Sequence, residues 1–164
     1  MNIFFIADLH LGHDNICEYE GINRGNPKTV EEHDDWIIYQ WNSIVKKSDL
    51  VWVLGDVAFT LEGLKKVKKM NGNKHLILGN HDIFTYVEYC KYFNKVHGFM
   101  KYKGMWLSHA PIHEESLRNK INVHGHIHSK TINNPNYICV SVEPLNGIPI
   151  NLEEIKTRSL YANN

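Results

Sequence analysis

Three features of the 164-residue chain predict an α/β fold: short apolar runs alternating with helical segments, a capped amphipathic helix between the first two runs, and polar clusters directly after the runs. The first run, Ile3 to Ala7, is apolar at every position, as expected of a strand covered on both faces. Thr29-Val30-Glu31-Glu32 then forms a capping box, and Trp36, Ile37, Trp41, Ile44 and Val45 follow at helical spacing. Glu31, Glu32, Asp34 and Asp35 crowd the first turn, where the helix dipole favours negative charge. These acids and His33 are expected to be capping groups and solvated surface. Leu50 to Leu54 is a second strand, and Leu61 to Met70 a second helix with Leu61, Leu64 and Val67 inward and Lys65, Lys66, Lys68 and Lys69 solvated. His75 to Leu78, Met105 to Leu107, Ile121 to Val123 and Ile138 to Val142 read as further strands, and Leu152 to Leu160 as a closing helix. Trp52 and Trp106 lie inside strand runs and are expected in the core, while Tyr86, Tyr89 and Tyr92 are expected to pack near Gly79-Asn80-His81-Asp82.

Composition narrows the function classes. Lys+Arg and Asp+Glu both number 18, so no bulk charge holds the chain to nucleic acid, and long nucleic acid is disfavoured as a partner. No apolar run approaches the ~20 residues that span a membrane, and the start has no basic leader region. Cys17, Cys90 and Cys139 are widely spaced and odd in number, which fits idle thiols in a reducing, cytoplasmic setting. No repeat or linker divides the sequence, so residues 1–164 are expected to form a single domain. The unusual count is histidine, at eleven.

The chemistry lies at the strand ends. The first run ends in Asp8-Leu9-His10, the second in Gly55-Asp56, and the third in Gly79-Asn80-His81-Asp82; Ser108-His109 and His124-Gly125-His126-Ile127-His128 follow later runs. Ligands of α/β folds gather beyond the carboxyl ends of strands, so groups far apart in sequence are expected to converge there. Carboxylate, imidazole and amide oxygen make a ligand set for a transition metal rather than calcium, and no thiolate pair points to structural zinc. Seven such groups exceed what one ion takes and fit two ions sharing a carboxylate, the arrangement used for phosphoester hydrolysis.

Asp-x-His, Gly-Asp, Gly-Asn-His-Asp, a later His and Gly-His-x-His, in this order, resemble the calcineurin-like metallophosphoesterase family over Asp8 to His128. The stretches Asp-Leu-His-Leu-Gly-His-Asp-Asn-Ile and Val-Ser-Val-Glu-Pro-Leu-Asn resemble its compact, cap-less bacterial and phage-type members. The resemblance implies two β-sheets packed face to face and flanked by helices, a four-layer αββα sandwich. It implies Asp8, His10 and His128 around a first divalent ion, Asn80, His109 and His126 around a second, and Asp56 bridging both. Manganese is the first expectation for the pair, with Fe, Ni, Zn and Co as the alternatives. His81 would protonate the leaving group, oriented by Asp82, as a hydroxide held between the ions attacks phosphorus in line.

Outside these motifs, His13 is a candidate substrate contact beside the Gly12 turn, and Arg24 a candidate phosphate fork. His124 alternates onto the face of His126 and His128 and is a third candidate, while His113 is as readily surface as pocket. His33, His75 and His97 read as structural. The expected activity is hydrolysis of a small phosphodiester of nucleotide type. A phosphomonoesterase with the same site is the nearest rival. A catalytically silent metal-binding scaffold or interaction module is the rival of another class, opposed by the complete ligand set with His81.

Overall fold

A computed structural model describes residues 1–161. Along the chain, β1 (Ile3–Ile6) leads through α1 (Ile16–Glu20) and a 3-10 turn (Gly21–Arg24) to α2 (Val30–Ile44) and β2 (Leu50–Val53). Next come α3 (Leu61–Lys66), closed by the 3-10 turn Val67–Lys69, then β3 (Asn73–Ile77), α4 (Tyr86–Tyr89) and β4 (Lys95–His97). The second half holds β5 (Met100–Tyr102), β6 (Met105–Leu107), α5 (Glu114–Leu117), β7 (Asn122–His124), β8 (Tyr137–Cys139), β9 (Ile150–Asn151) and α6 (Leu152–Tyr161). Every strand and helix read from the sequence is present, with ends shifted by a few residues. β4, β5 and β9 were not expected: each has only two or three residues, too few to show a period.

The strands form two mixed sheets flanked by helices, ordered β4-β3-β2-β1-β9 and β5-β6-β7-β8. β1 to β4 are parallel and β9 closes the first sheet antiparallel to β1. β5 and β6 form a hairpin whose turn residues, Lys103 and Gly104, both have positive φ, as a two-residue turn matched to strand twist requires. One apolar core joins the sheets and the helices, with Phe5, Ile6, Val53, Leu107 and Val123 from strands and Ile37, Trp41, Leu64 and Ile155 from helices. Trp52 lies in it, edge-on against His75 and tilted against His97. Trp106 is only half-buried, stacked on Phe99 with the Lys101 ammonium over its ring.

Two devices place all the functional strand ends on one edge. The Ala7 N–H donates to the Val140 C=O at 2.8 Å, and Ala7 bridges Ser141 in parallel. β8 therefore runs in the direction of β1, as do β6 and β7, which are parallel to it. The carboxyl ends of β1, β2, β3, β6 and β7 consequently open towards one side. Against that edge packs the start of α3, where Thr60 caps the helix by accepting from the Gly63 N–H at 3.0 Å. A Cβ at Gly63 would collide with the Leu11 C=O, in the loop after β1. Gly63→Ala gains about 1 kcal/mol of helix propensity but forces overpacking of about 1–3 kcal/mol against backbone. A net loss of stability in urea denaturation is the expected outcome; a gain would show that α3 does not brace this loop.

Candidate metal centre

The strand ends reach one point because the backbone turns sharply there. Asp8, His10, Asp56, His126 and His128 all have left-handed φ, between 52° and 71°. They make up half of the ten non-glycine residues with positive φ among those described. Such a conformation costs on the order of 1–3 kcal/mol for a non-glycine residue and persists only where its surroundings enforce it. Glycines complete the turns: a Cβ at Gly79 would strike Asp56 Oδ1, and one at Gly125 would strike Ala7 and the Asp8 carboxylate.

Asp8, His10 and His128 offer ligand atoms within 4.8 Å of one another, and so do Asp8, Asp56 and His109. The Asn80 Oδ1 lies 2.9 Å and the His126 Nδ1 3.2 Å from the His109 Nε2. All seven groups therefore meet. Asp8, Asp56, His10 and His109 form a buried floor, with Asn80, His81 and His126 on an exposed lip.

The floor has acceptors in excess of donors. The His109 Nδ1–H donates to the Leu54 C=O at 2.8 Å, so its Nε2 carries the lone pair towards Asn80 Oδ1 and, at 3.3 Å, Asp56 Oδ2. Asp8 Oδ1 and both His10 nitrogens are buried without a partner. Lone pairs aimed at one another across a buried floor are costly unless a cation or a proton lies between them. The residues fit a metal pair. Without metal, protons take its place: burial pulls the His109 imidazole down, but the Asp56 bond, the charges of Asp8 and Asp56 and the Leu54 carbonyl together outweigh this and leave it raised. Burial likewise pushes Asp8 up, yet bonds and charge from His10, His109 and Ser141 hold it at about 2.

Three further residues, to which the sequence assigned no role, shape the centre. Ser141 Oγ donates to Asp8 Oδ2 at 2.6 Å, leaving Oδ1 to face the floor. Its sequence signals are a hydroxyl within the apolar run Ile138 to Val142 and its place in the Val-Ser-Val-Glu-Pro-Leu-Asn stretch, neither of which assigned it a role. Phe59 gathers three imidazoles, with ring centroids 5.0 Å from His10, 4.1 Å from His13 and 5.0 Å from His81. Glu143 accepts from the His128 Nδ1–H at 2.9 Å.

Several expectations need correction. Asp82 does not orient His81: its carboxylate accepts from the backbone N–H groups of Gly79, Asp56 and Val57 at 2.7, 2.9 and 3.0 Å, and from the Tyr89 hydroxyl at 3.1 Å. It ties the loops after β2 and β3 together. His81 is placed instead by its own N–H, which donates to Asp56 Oδ1 at 2.9 Å, and by Phe59. Arg24 is no phosphate fork, because it is fully buried and its donors go to Glu143, His33 and the carbonyls of Asp8 and Leu9. His124 stays out of the cluster: its Nδ1–H donates to the Gly125 C=O and its ring lies edge-on to Tyr137, lining a separate cavity. His33 and Asp34 are not solvated but fully buried, since they share the inward face of α2 with Ile37 and Trp41. His13 stands beside His10 at 5.6 Å and is half-buried, and His113 is exposed, capping α5.

Two outcomes follow. Tyr89→Phe removes one bond to Asp82 and is expected to cost about 1 kcal/mol in urea denaturation without loss of fold; no change would show that Tyr89 does not support Asp82. Burial holds the His10 imidazole at about 4, against an ordinary value of 6.5. The unfolded chain therefore takes up this proton first, and stability present above pH 6.5 is lost as pH falls towards 4. The loss is about 3 kcal/mol. In metal-free protein, His10→Gln should flatten the stability profile over that window; an unchanged slope would assign the acid sensitivity elsewhere.

Comparison with known proteins agrees with this geometry. A family model described as calcineurin-like phosphoesterase matches residues 1–161. An uncharacterised protein of Methanocaldococcus jannaschii, MJ1445, is 33% identical over 165 residues, covering 93% of this chain and 88% of its own. The Gene 66 protein of Mycobacterium phage L5 is 38% identical over 86 residues, covering 49% of this chain but only 40% of its own length. The crystal structure of a protein of unknown function, AQ665 from Aquifex aeolicus, superposes with a TM-score of 0.74 at 26% identity, over 95% of this chain and 98% of that one. Strands, strained ligand loops and family model point the same way, and the chain belongs to the calcineurin-like phosphoesterase family.

Proposed function

We propose that the protein is a metal-dependent phosphodiesterase acting on small, nucleotide-type phosphodiesters. The observation that carries the diester preference is the charge of the floor. Asp8 and Asp56 are the two carboxylates that face it. They offset about two of the four positive charges of a divalent pair, so a diester monoanion and the attacking hydroxide complete neutrality. A monoester dianion would leave an excess negative charge. Arg24, the cation nearest in sequence to the first ligand loop, is buried in other bonds and does not compensate.

Bound divalent ions supply Lewis acidity and a hydroxide nucleophile near neutral pH. Manganese suits the mixed carboxylate, imidazole and amide donors, and Asp8, His10 and His128, with Asp56, Asn80, His109 and His126, are the residues assigned to hold the pair. His81 stands on the exposed lip, where its imidazole can donate a proton to the departing oxygen. His13, which packs edge-on to Phe59, is assigned a supporting contact to substrate. Ile83, exposed two residues beyond His81, offers an apolar surface for the organic part of a leaving group. Cys17, Cys90 and Cys139 are free thiols, consistent with a reducing cytoplasmic setting. Among the described residues no helix is long and apolar enough to cross a membrane.

The test is hydrolysis of bis-p-nitrophenyl phosphate and of p-nitrophenyl phosphate by metal-stripped protein with Mn, Ni, Zn or Mg restored. Diester cleavage that depends on metal and disappears in Asp56→Asn is expected. His81→Ala should keep its bound metal and lose about 10²–10⁴ in turnover. Cleavage of the monoester alone would reverse the substrate class, and metal binding without any turnover would favour the scaffold reading.

A further inference from the structure

The residues behind the first ligand group form a continuous buried chain of their own. The Glu143 side chain is 1% exposed, and its Oε1 accepts three bonds: from His128 Nδ1–H at 2.9 Å, from Arg24 Nε at 2.8 Å and from Arg24 Nη2 at 2.5 Å. The same guanidinium donates through Nη2 to the Asp8 C=O at 2.8 Å and through Nη1 to the Leu9 C=O at 3.3 Å. Nη1 also donates to His33 Nε2 at 3.2 Å, while the His33 Nδ1–H donates to Asp34 at 3.0 Å. Asp34 in turn accepts from the Gly12 N–H at 3.1 Å and from Lys66 Nζ at 2.8 Å. Arg24 thus grips the start of the Asp8–Gly12 loop and Asp34 its end.

We propose that Glu143, seated on Arg24, is a positioning residue for the first metal position, Asp8, His10 and His128, and acts on it independently of the second. This rests on the reading of the centre as a metal pair. By accepting the His128 Nδ1–H, Glu143 fixes the tautomer and turns Nε2 outward as a ligand. By pairing with Arg24, it locks the backbone that carries Asp8 and His10 to the strand end that carries His128. The second group is held by other means: His109 by the Leu54 C=O, and Asp56 by the His81 N–H. None of the bonds made by Glu143 or Arg24 reaches those residues directly; the two groups are linked through Asp8, whose Oδ2 accepts from the His126 N–H at 2.9 Å. A buried ion pair on its own is weak evidence for stability, so its value here lies in where it holds a ligand.

The distinguishing experiment is titration of Mn(II) into metal-free wild-type protein, Glu143→Gln and Glu143→Asp, with calorimetry for stepwise affinity and electron paramagnetic resonance for spin coupling between two ions. Circular dichroism of each metal-free variant reports folding separately. In Glu143→Gln one of the two affinities should fall about 10–100-fold, with the spin-coupled signal lost at limiting manganese and the other affinity unchanged. Two unaltered affinities in a folded variant would overturn the role of Glu143, and equal weakening of both would reduce it to general support. Should Glu143→Gln not fold, Glu143→Asp gives the same reading, because it keeps a carboxylate against Arg24 but is one methylene short of His128. Wild-type protein that binds no manganese would instead remove the metal-pair reading itself.

Discussion

The bond from the Ala7 N–H to the Val140 C=O is the joint on which the rest depends. Two sheets packed by apolar contact alone can slide, because the hydrophobic effect has no direction. A hydrogen bond between their strands at the ligand end fixes their relative position, because its donor and acceptor hold within about 2.7–3.2 Å of one another. From that joint the next residue, Asp8, meets Ser141 and the His126 N–H, both from the second sheet. One carboxylate is thereby oriented by one sheet while its backbone belongs to the other. The parallel sense of β1 and β8 then gathers the remaining ligand loops on the same side.

Carboxylates in this protein divide by what they accept from. Asp34 and Asp82 are saturated by backbone N–H, hydroxyl, imidazole or cationic donors, and Glu143 takes three bonds on Oε1 while its Oε2 is buried without a partner; all three act as internal fasteners. Asp8 and Asp56 keep at least one oxygen turned towards the shared floor. The two kinds carry the same functional group and lie close together, so for Asp34 and Asp82 it is their partners that make them braces rather than ligands. The arrangement also explains why the cluster tolerates strained backbone: each left-handed turn is held by such a fastener or by a strand at its side, and the cost is spread over the core rather than borne by a single loop.

The sequence showed the fold class and the convergence of the ligand groups because both rest on local signals, namely apolar runs, caps and polar residues at strand ends. It misassigned Arg24, Asp82 and Asp34 for a common reason. Their roles are set by residues distant in the chain, Arg24 by Glu143 and Asp34 by Gly12 and Lys66, and a charged residue shows no period that reveals a buried partner. Asp34 did carry a usable clue, since it falls in phase with Ile37 and Trp41 on α2. Phe59 carried none, because an aromatic residue after a strand reads as ordinary packing until three imidazoles are seen around it.

The contact between Ser141 and Asp8 spans 133 residues of chain, and that between His126 and Asp8 spans 118. Closing loops of such length is entropically unfavourable, so contacts of this kind form only once the intervening elements have docked. No fragment containing one sheet alone presents the complete ligand set. A metal pair bound by the complete set would therefore favour the finished fold over partly built ones and add to the stability of the native state.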